Sequence, residues 1–203
     1  MRIGIIGTGN VGASLGRAWA AAGHEVVFGA RDTAAAKVAD LLQSMPGKAT
    51  AEAVAEAIRV SEVLLLALPG VAVGELVRDY RGDLDGKIIV DATNSTGQPE
   101  MHNMTLLEGT LPKAEVFRAF NTLGWENFAQ PMFGEERADL FYCGAAGDAR
   151  DSMDELISDV GLRPIYVGGT EMAPLLDNLT RLWFTLVFAE GYGRHTAFRL
   201  LTD

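Results

Sequence analysis

An α/β chain built on a doubly wound, mostly parallel sheet is the fold class predicted by two features of the sequence. Apolar runs of strand length alternate with amphipathic stretches of helix length, the pattern of strands joined by covering helices. The first run, Arg2-Ile3-Gly4-Ile5-Ile6, feeds straight into Gly7-Thr8-Gly9-Asn10-Val11-Gly12 and then a helix-like stretch to Ala22. The strands expected in order are Ile3–Ile6, Val26–Phe28, Val63–Leu68, Ile88–Val90, Val116–Phe120, Leu140–Cys143 and Pro164–Val167. The helices between them are expected at Asn10–Ala22, Thr33–Ser44, Thr50–Ile58, Ala72–Asp79, Asp148–Val160 and Thr170–Glu190. Ala51 to Ala57 is rich in strong helix formers, with Thr50 as a cap. Thr93 to Pro112 carries Gly97, Pro99, Gly109 and Pro112 without periodicity and reads as a mobile loop.

The last helix recurs in Leu175, Leu176, Leu179, Leu182, Trp183, Leu186 and Val187, and Phe184 and Phe188 widen its apolar surface. That surface exceeds what one sheet face covers. It suits either a core helix or one shared across a homodimer interface or lining a second ligand pocket. Gly191-Tyr192-Gly193-Arg194 then breaks the helix. At 203 residues the length fits one domain, so residues 1–203 are expected to form a single NAD(P)-binding Rossmann domain, with 123–203 as its C-terminal helical extension.

The glycine pattern carries the functional expectation. Gly7 permits a sharp turn, Gly9 lets backbone N–H groups approach a pyrophosphate, and Gly12 lets the helix pack close to the strand. Thr8, Asn10 and Val11 complete the loop, and the helix N-terminus faces the anion. The second strand decides which dinucleotide is bound. About 20 residues beyond the glycines, where a carboxylate would grip a ribose 2′-OH, the chain has Ala30-Arg31. A guanidinium suits a 2′-phosphate and favours NADP over NAD. The competing reading makes Arg31 a solvated loop cation and lets Asp32 reach back to the ribose; Lys37 adds charge nearby or lies on an exposed helix face.

Composition narrows the partners. The formal net charge is −10 and the pI about 4.8, so nucleic acid phosphates are repelled. Met1 leads at once into a strand rather than a leader-like segment, and the longest apolar run, Val63 to Pro69, is too short to span a bilayer. A cytoplasmic protein without membrane partners is expected. Cys143, the one cysteine, excludes an internal disulfide and sits in a strand-like run.

Ligands of a doubly wound sheet lie beyond the carboxyl ends of its strands. Gly7-Thr8 and Ala30-Arg31 fall at the adenosine end. Leu68-Pro69-Gly70, Thr93-Asn94-Ser95 and Asn121-Thr122 fall towards the nicotinamide, and they are small, polar and uncharged. Carbonyl reduction needs a proton donor beside the hydride acceptor. His24, His102 and His195 are dispersed, there is no Tyr-x-x-x-Lys pair, and no metal-ligand spacing occurs. No catalytic acid, base or metal ligand is therefore assigned. Hydride exchange between two ring cofactors, where positioning contributes most, fits best.

These residues resemble the F420-dependent NADP oxidoreductases, which pass hydride between NADP and a deazaflavin. The similarity runs through Gly7–Gly12, Gly23–Arg31, Leu66-Ala67-Leu68-Pro69, Asp91-Ala92-Thr93-Asn94, Arg118–Thr122 and Gly161-Leu162-Arg163-Pro164. Phe117 to Trp125 is also similar to the cytosolic reductase domain of the six-transmembrane metalloreductases, which passes hydride to a flavin. The resemblance implies NADP(H) held by Thr8, Asn10 and Arg31, with the nicotinamide near Pro69, Asn94 and Asn121 and coenzyme F420 stacked against it; FMN or FAD is the alternative acceptor. Ala30 stands where the family usually has a serine, a second ligand for the 2′-phosphate. Two other readings stay open. One is reduction of a small imine or carbonyl with His195 or Tyr192 as donor, and the other is an NADP(H)-binding sensor whose Thr93–Pro112 loop orders on binding.

Overall fold

The computed structural model describes residues 1–45 and 47–203. Among the described residues ten strands form in chain order: β1 (Arg2–Ile6), β2 (Glu25–Ala30), β3 (Ala49–Ala53), β4 (Val63–Leu66), β5 (Ile88–Asp91), β6 (Glu115–Arg118), β7 (Met132–Phe133), β8 (Glu136–Arg137), β9 (Asp139–Gly144) and β10 (Arg163–Tyr166). The helices are α1 (Asn10–Ala21), α2 (Ala36–Gln43), α3 (Val54–Val60), α4 (Val73–Leu84), α5 (Met104–Thr110), α6 (Glu126–Ala129), α7 (Asp148–Asp159) and α8 (Ala173–Phe184). Eight strands make one sheet in the order β10-β9-β6-β5-β4-β1-β2-β3, and β7 and β8 pair separately. Every pairing in the large sheet is parallel except β6 with β9. The doubly wound fold class is as expected from the sequence.

The strand order places the site. The chain winds outward through β1, β2 and β3, then returns to lay β4 on the other side of β1. This reversal splays the connections leaving β1 and β4 and opens a crevice beyond their carboxyl ends. The sheet is apolar on both faces because helices cover both. Ile3, Ile5, Val63 and Leu65 join α1 and α7 residues in one core, while Ile6, Leu64 and Leu66 join residues of α3, α4 and α5 in the other. Trp19 of α1 donates its indole N–H to the Leu156 carbonyl of α7 at 2.9 Å, tying two covering helices together. Among the described residues no helix is long and apolar enough to cross a membrane.

Several expectations need correction. Ala49–Ala53 is a strand, not the start of a helix: its backbone pairs in register with β2, Ala51 opposite Phe28, and edge pairing overrides the helix preference of alanine and glutamate. The helix that follows begins only at Val54. The second helix begins at Ala36 rather than Thr33, because the Asp32 carboxylate accepts the Ala34 N–H at 3.0 Å and shapes a turn. The third and fifth expected strands stop at Leu66 and Arg118. The expected helix over 170–190 divides into a 3-10 turn at Thr170–Met172, α8, and a π turn at Thr185–Ala189.

The segment read as a mobile loop is tied down. It contains α5, and Met101, His102 and Met104 are buried within it. Cys143 is fully buried in β9, and burial pushes its thiol up to about 12, the behaviour of an inert core cysteine.

Candidate active site

The carboxyl ends of β2, β1, β4, β5 and β6 lie side by side in that order, so the turns leaving them line one edge. Gly7 opens the first turn with φ of 125°, a conformation that side chains resist, and a Cβ there would overlap the Ala67 carbonyl just after β4. A Cβ on Gly12 would overlap the Gly7 carbonyl oxygen, so the helix can approach the strand only because this residue is glycine. Gly9 differs: a Cβ built on it meets nothing within 4 Å, and its φ of −80° is ordinary. No protein contact requires glycine there. The open space leaves room for a group outside the chain to approach the backbone closely. Gly9 is also the N-cap of α1 and offers no side chain, which leaves the N–H groups of the first turn, at Asn10, Val11 and Gly12, facing outward.

Gly9→Ala is expected to raise the Kd for NADPH at least about tenfold, while the melting temperature stays within about 3 °C of the parent. Isothermal titration and thermal denaturation of the same preparation check both halves. A tolerated methyl with unchanged affinity would remove the pyrophosphate from this loop.

At the end of β2, Ala30 is buried and Arg31 exposed. No hydrogen bond or ion pair engages Arg31 among the described residues, whereas Asp32 is held in its local turn. Leu68 is half-buried and Pro69 exposed at the β4 turn. A Cβ on Gly70 would collide with the Ser95 hydroxyl, so this glycine brings the β4 and β5 turns together.

Beyond β5 and β6 the side chains form a buried network that sequence reasoning missed. Arg118, at the end of β6, is fully buried. Its Nη2 donates to Asp177 Oδ1 of α8 at 2.9 Å and to Asn94 Oδ1 at 2.9 Å, and its Nη1 donates to the Thr93 carbonyl and lies 3.5 Å from Asp91. Asp91 accepts from the Thr93 N–H, the Thr93 hydroxyl and the Asn103 N–H. Asp177 accepts the Met101 N–H at 2.7 Å. Asn94 Nδ2 donates to the Asn121 carbonyl, and Asn121 Nδ2 donates to the Thr180 hydroxyl of α8. A signal was present in the sequence: a charged residue inside the apolar run Val116-Phe117-Arg118-Ala119-Phe120 must find a buried partner.

Phe120 holds φ of 59°, the one non-glycine residue with positive φ among those described. It is locked by edge-on contacts with Trp19 and Phe128 and turns the chain so that Asn121 follows at the strand end. The Asn121 Oδ1 and Thr122 Oγ1 atoms are buried without a partner among the described residues. Unpaired acceptors at this place fit an amide donor from a ligand. The residues present therefore fit a dinucleotide at both ends.

The three histidines are engaged elsewhere or inward. His24 Nε2 lies 2.8 Å from Asp159, and with Glu155 these residues bring potential ligand atoms within 4.8 Å of one another, a grouping that sequence spacing did not foretell. His102 is buried, with Nδ1 accepting the Met104 N–H and Nε2 unpartnered. His195 stacks on Phe133 with ring centroids 4.2 Å apart, and its Nε2 lies 3.0 Å from the Gln130 carbonyl. Arg194, in the glycine-flanked break after α8, pairs with Glu126.

Residues 2–95, which include the glycine loop, Arg31 and Asn94, match the family described as NADP oxidoreductase, coenzyme F420-dependent. Over these residues, a little under half of the chain, the protein is similar to this family. It is 29% identical to the F420-dependent NADP reductase of Methanothermobacter marburgensis, with 92% of each chain aligned. The metalloreductase STEAP3 of Rattus norvegicus is 27% identical over 85% of this chain but only 35% of its own length. A crystal structure from an Arthrobacter species, provisionally described as an F420-dependent NADP reductase, superposes over the full length of both chains with a TM-score of 0.86 and 26% identity. The family match ends at Asn94-Ser95, whereas the fold match continues through Arg118, Asn121 and α8.

Next to the Asn94 turn, a cleft of about 610 Å³ opens between residues 96–101 and α8, bordered by Gln98, Pro99, Asn178, Arg181 and Phe184. Arg181 donates to the Pro99 and Gln98 carbonyls and to Asn178 across its floor.

Proposed function

We propose that this protein is an NADPH-dependent oxidoreductase that passes hydride between NADP(H) and a deazaflavin of the coenzyme F420 type, with FMN or FAD as the alternative acceptor. The observation that carries this reading is the glycine loop: Gly9 leaves its backbone open, with no atom of the chain near its Cβ position, at the N-terminus of a helix and at the reversal point of the sheet. Gly7, Thr8, Gly9, Asn10, Val11 and Gly12 hold the pyrophosphate through backbone N–H groups and short polar side chains. Arg31 engages the 2′-phosphate, and Ala30 contributes backbone only. Leu68 and Pro69 border the ribose and ring, while Asn94 and Asn121 orient the carboxamide.

When bound, NADPH supplies a hydride from its nicotinamide ring. Asn94 and Asn121, the side chains proposed to meet the ring, hold it in place, and neither is a strong acid or base. Their neutrality favours a second ring as acceptor over a carbonyl that must be protonated. The cleft between residues 96–101 and α8 begins two residues beyond Asn94 and suits that ring. The names of the methanogen relatives support coenzyme F420 as the acceptor. The negative charge supports a protein that avoids nucleic acid, and we place it in the cytoplasm. Leu175, Leu182 and Phe188, exposed along α8 and the turn after it, support a homodimer.

NADPH absorbance followed with the protein and coenzyme F420, FMN, FAD or no acceptor tests the reading. Oxidation with the deazaflavin is expected; binding without turnover by any acceptor would overturn it. His195→Ala is expected to reduce the rate less than about tenfold, because its ring is committed to Phe133 and Gln130. Loss of a general acid would cost roughly 100-fold or more. A loss of that size in steady-state turnover would favour imine or carbonyl reduction.

A further inference from the structure

The buried cluster beside the Asn94 turn is unbalanced in charge. It holds two carboxylates, Asp91 and Asp177, around one guanidinium, Arg118, with side chains no more than 2% exposed. Among the described residues no other cation pairs with either carboxylate. Arg181 lies one turn along α8 from Asp177, but it is half-buried and directed at Pro99, Gln98 and Asn178 rather than at the cluster. One negative charge is thus in excess, in surroundings where water screens it weakly. The cluster connects directly to the two asparagines: Arg118 donates to Asn94, and Asn94 donates to the Asn121 carbonyl.

We propose that Asp177 is a positioning residue that sets the charge behind the nicotinamide end, so that the oxidised, cationic ring is favoured over the reduced, neutral one. This inference rests on the NADP(H) reading above. Loss of a hydride to the acceptor, one proton with two electrons, turns a neutral dihydronicotinamide into a cation. An excess negative charge nearby lowers the free energy of that cation and makes bound NADPH the stronger reductant. Asp177 reaches this position from α8, whose next turns line the acceptor cleft, so one helix serves both the charge and the cleft.

The test compares the Kd of NADP+ with that of NADPH, each measured by calorimetry on the full chain. In Asp177→Asn the ratio of the NADP+ to the NADPH dissociation constant is expected to rise about fivefold, since one unit charge is removed from a buried cluster where water screens weakly. Asp177→Glu keeps the charge and is expected to keep the parent ratio. Asn178→Lys adds a positive charge on the exposed side of the same helix turn and is expected to move the ratio in the same direction by about twofold, without touching the core. It serves where Asp177→Asn does not fold. Equal weakening of both ligands in Asp177→Asn, or an unmoved ratio in Asn178→Lys, overturns the proposal and leaves Asp177 as a loop anchor. Failure of the parent protein to bind NADPH overturns the functional reading, and this proposal falls with it.

Discussion

Replacing Arg118 by Leu is expected to destabilise the fold by about 3–5 kcal/mol, the cost of removing one partner from a buried ion pair. The side chain is fully buried and joins four separate points: Asp91 at the end of β5, the Thr93 carbonyl, Asn94, and Asp177 on α8. Leucine leaves the two carboxylates facing each other without a cation and the Thr93 carbonyl without this donor. Thermal denaturation should show a fall of roughly 10 °C in a chain of this length. NADPH affinity should fall as well, because Asn94 loses the contact that holds its amide. Arg118→Lys keeps the charge but not the fork of donors, and an intermediate loss is expected. A melting temperature within about 2 °C of the parent in the leucine variant would mean that the cluster contributes little to stability.

Arg31→Ala is expected to weaken NADPH binding about tenfold or more and to leave NADH nearly unchanged, since only the former carries the 2′-phosphate. Arg31 is exposed, so water and salt screen it, and the effect should lie towards the low end for a charge-assisted contact. The same screening gives a second check: raising the ionic strength should narrow the NADPH preference of the parent and have little influence on the variant. Titration of both dinucleotides against both proteins settles the point. Equal losses for NADPH and NADH would remove the phosphate from Arg31 and return the ribose to Asp32.

The glycine loop was legible in the sequence because each of its requirements is local. A strand, a turn at Gly7, a bare Gly9 and a close-packed Gly12 occupy adjacent positions, and the spacing alone specifies the geometry. Most strands were legible for a similar reason, since short apolar runs between helical stretches have few alternatives. Ala49–Ala53 was not, because its composition favours a helix and only β2, more than 20 residues earlier, supplies the pairing that makes it a strand. Nor was the order in the Thr93–Pro112 segment visible: its glycines and prolines suggest mobility, while its anchors, Asp91, Arg118 and Asp177, lie outside it.

What the sequence by itself determined is therefore the alternating architecture, the geometry of the glycine loop and the cation at the end of β2, all of which depend on residues close together in the chain. Tertiary structure alone decided which side chains meet beyond β5 and β6. Arg118 and Asp177 are 59 residues apart, as are Asn121 and Thr180. Buried charges and amides take partners wherever the sheet order and α8 bring them, because leaving them unpaired away from water costs more than any local preference can offset.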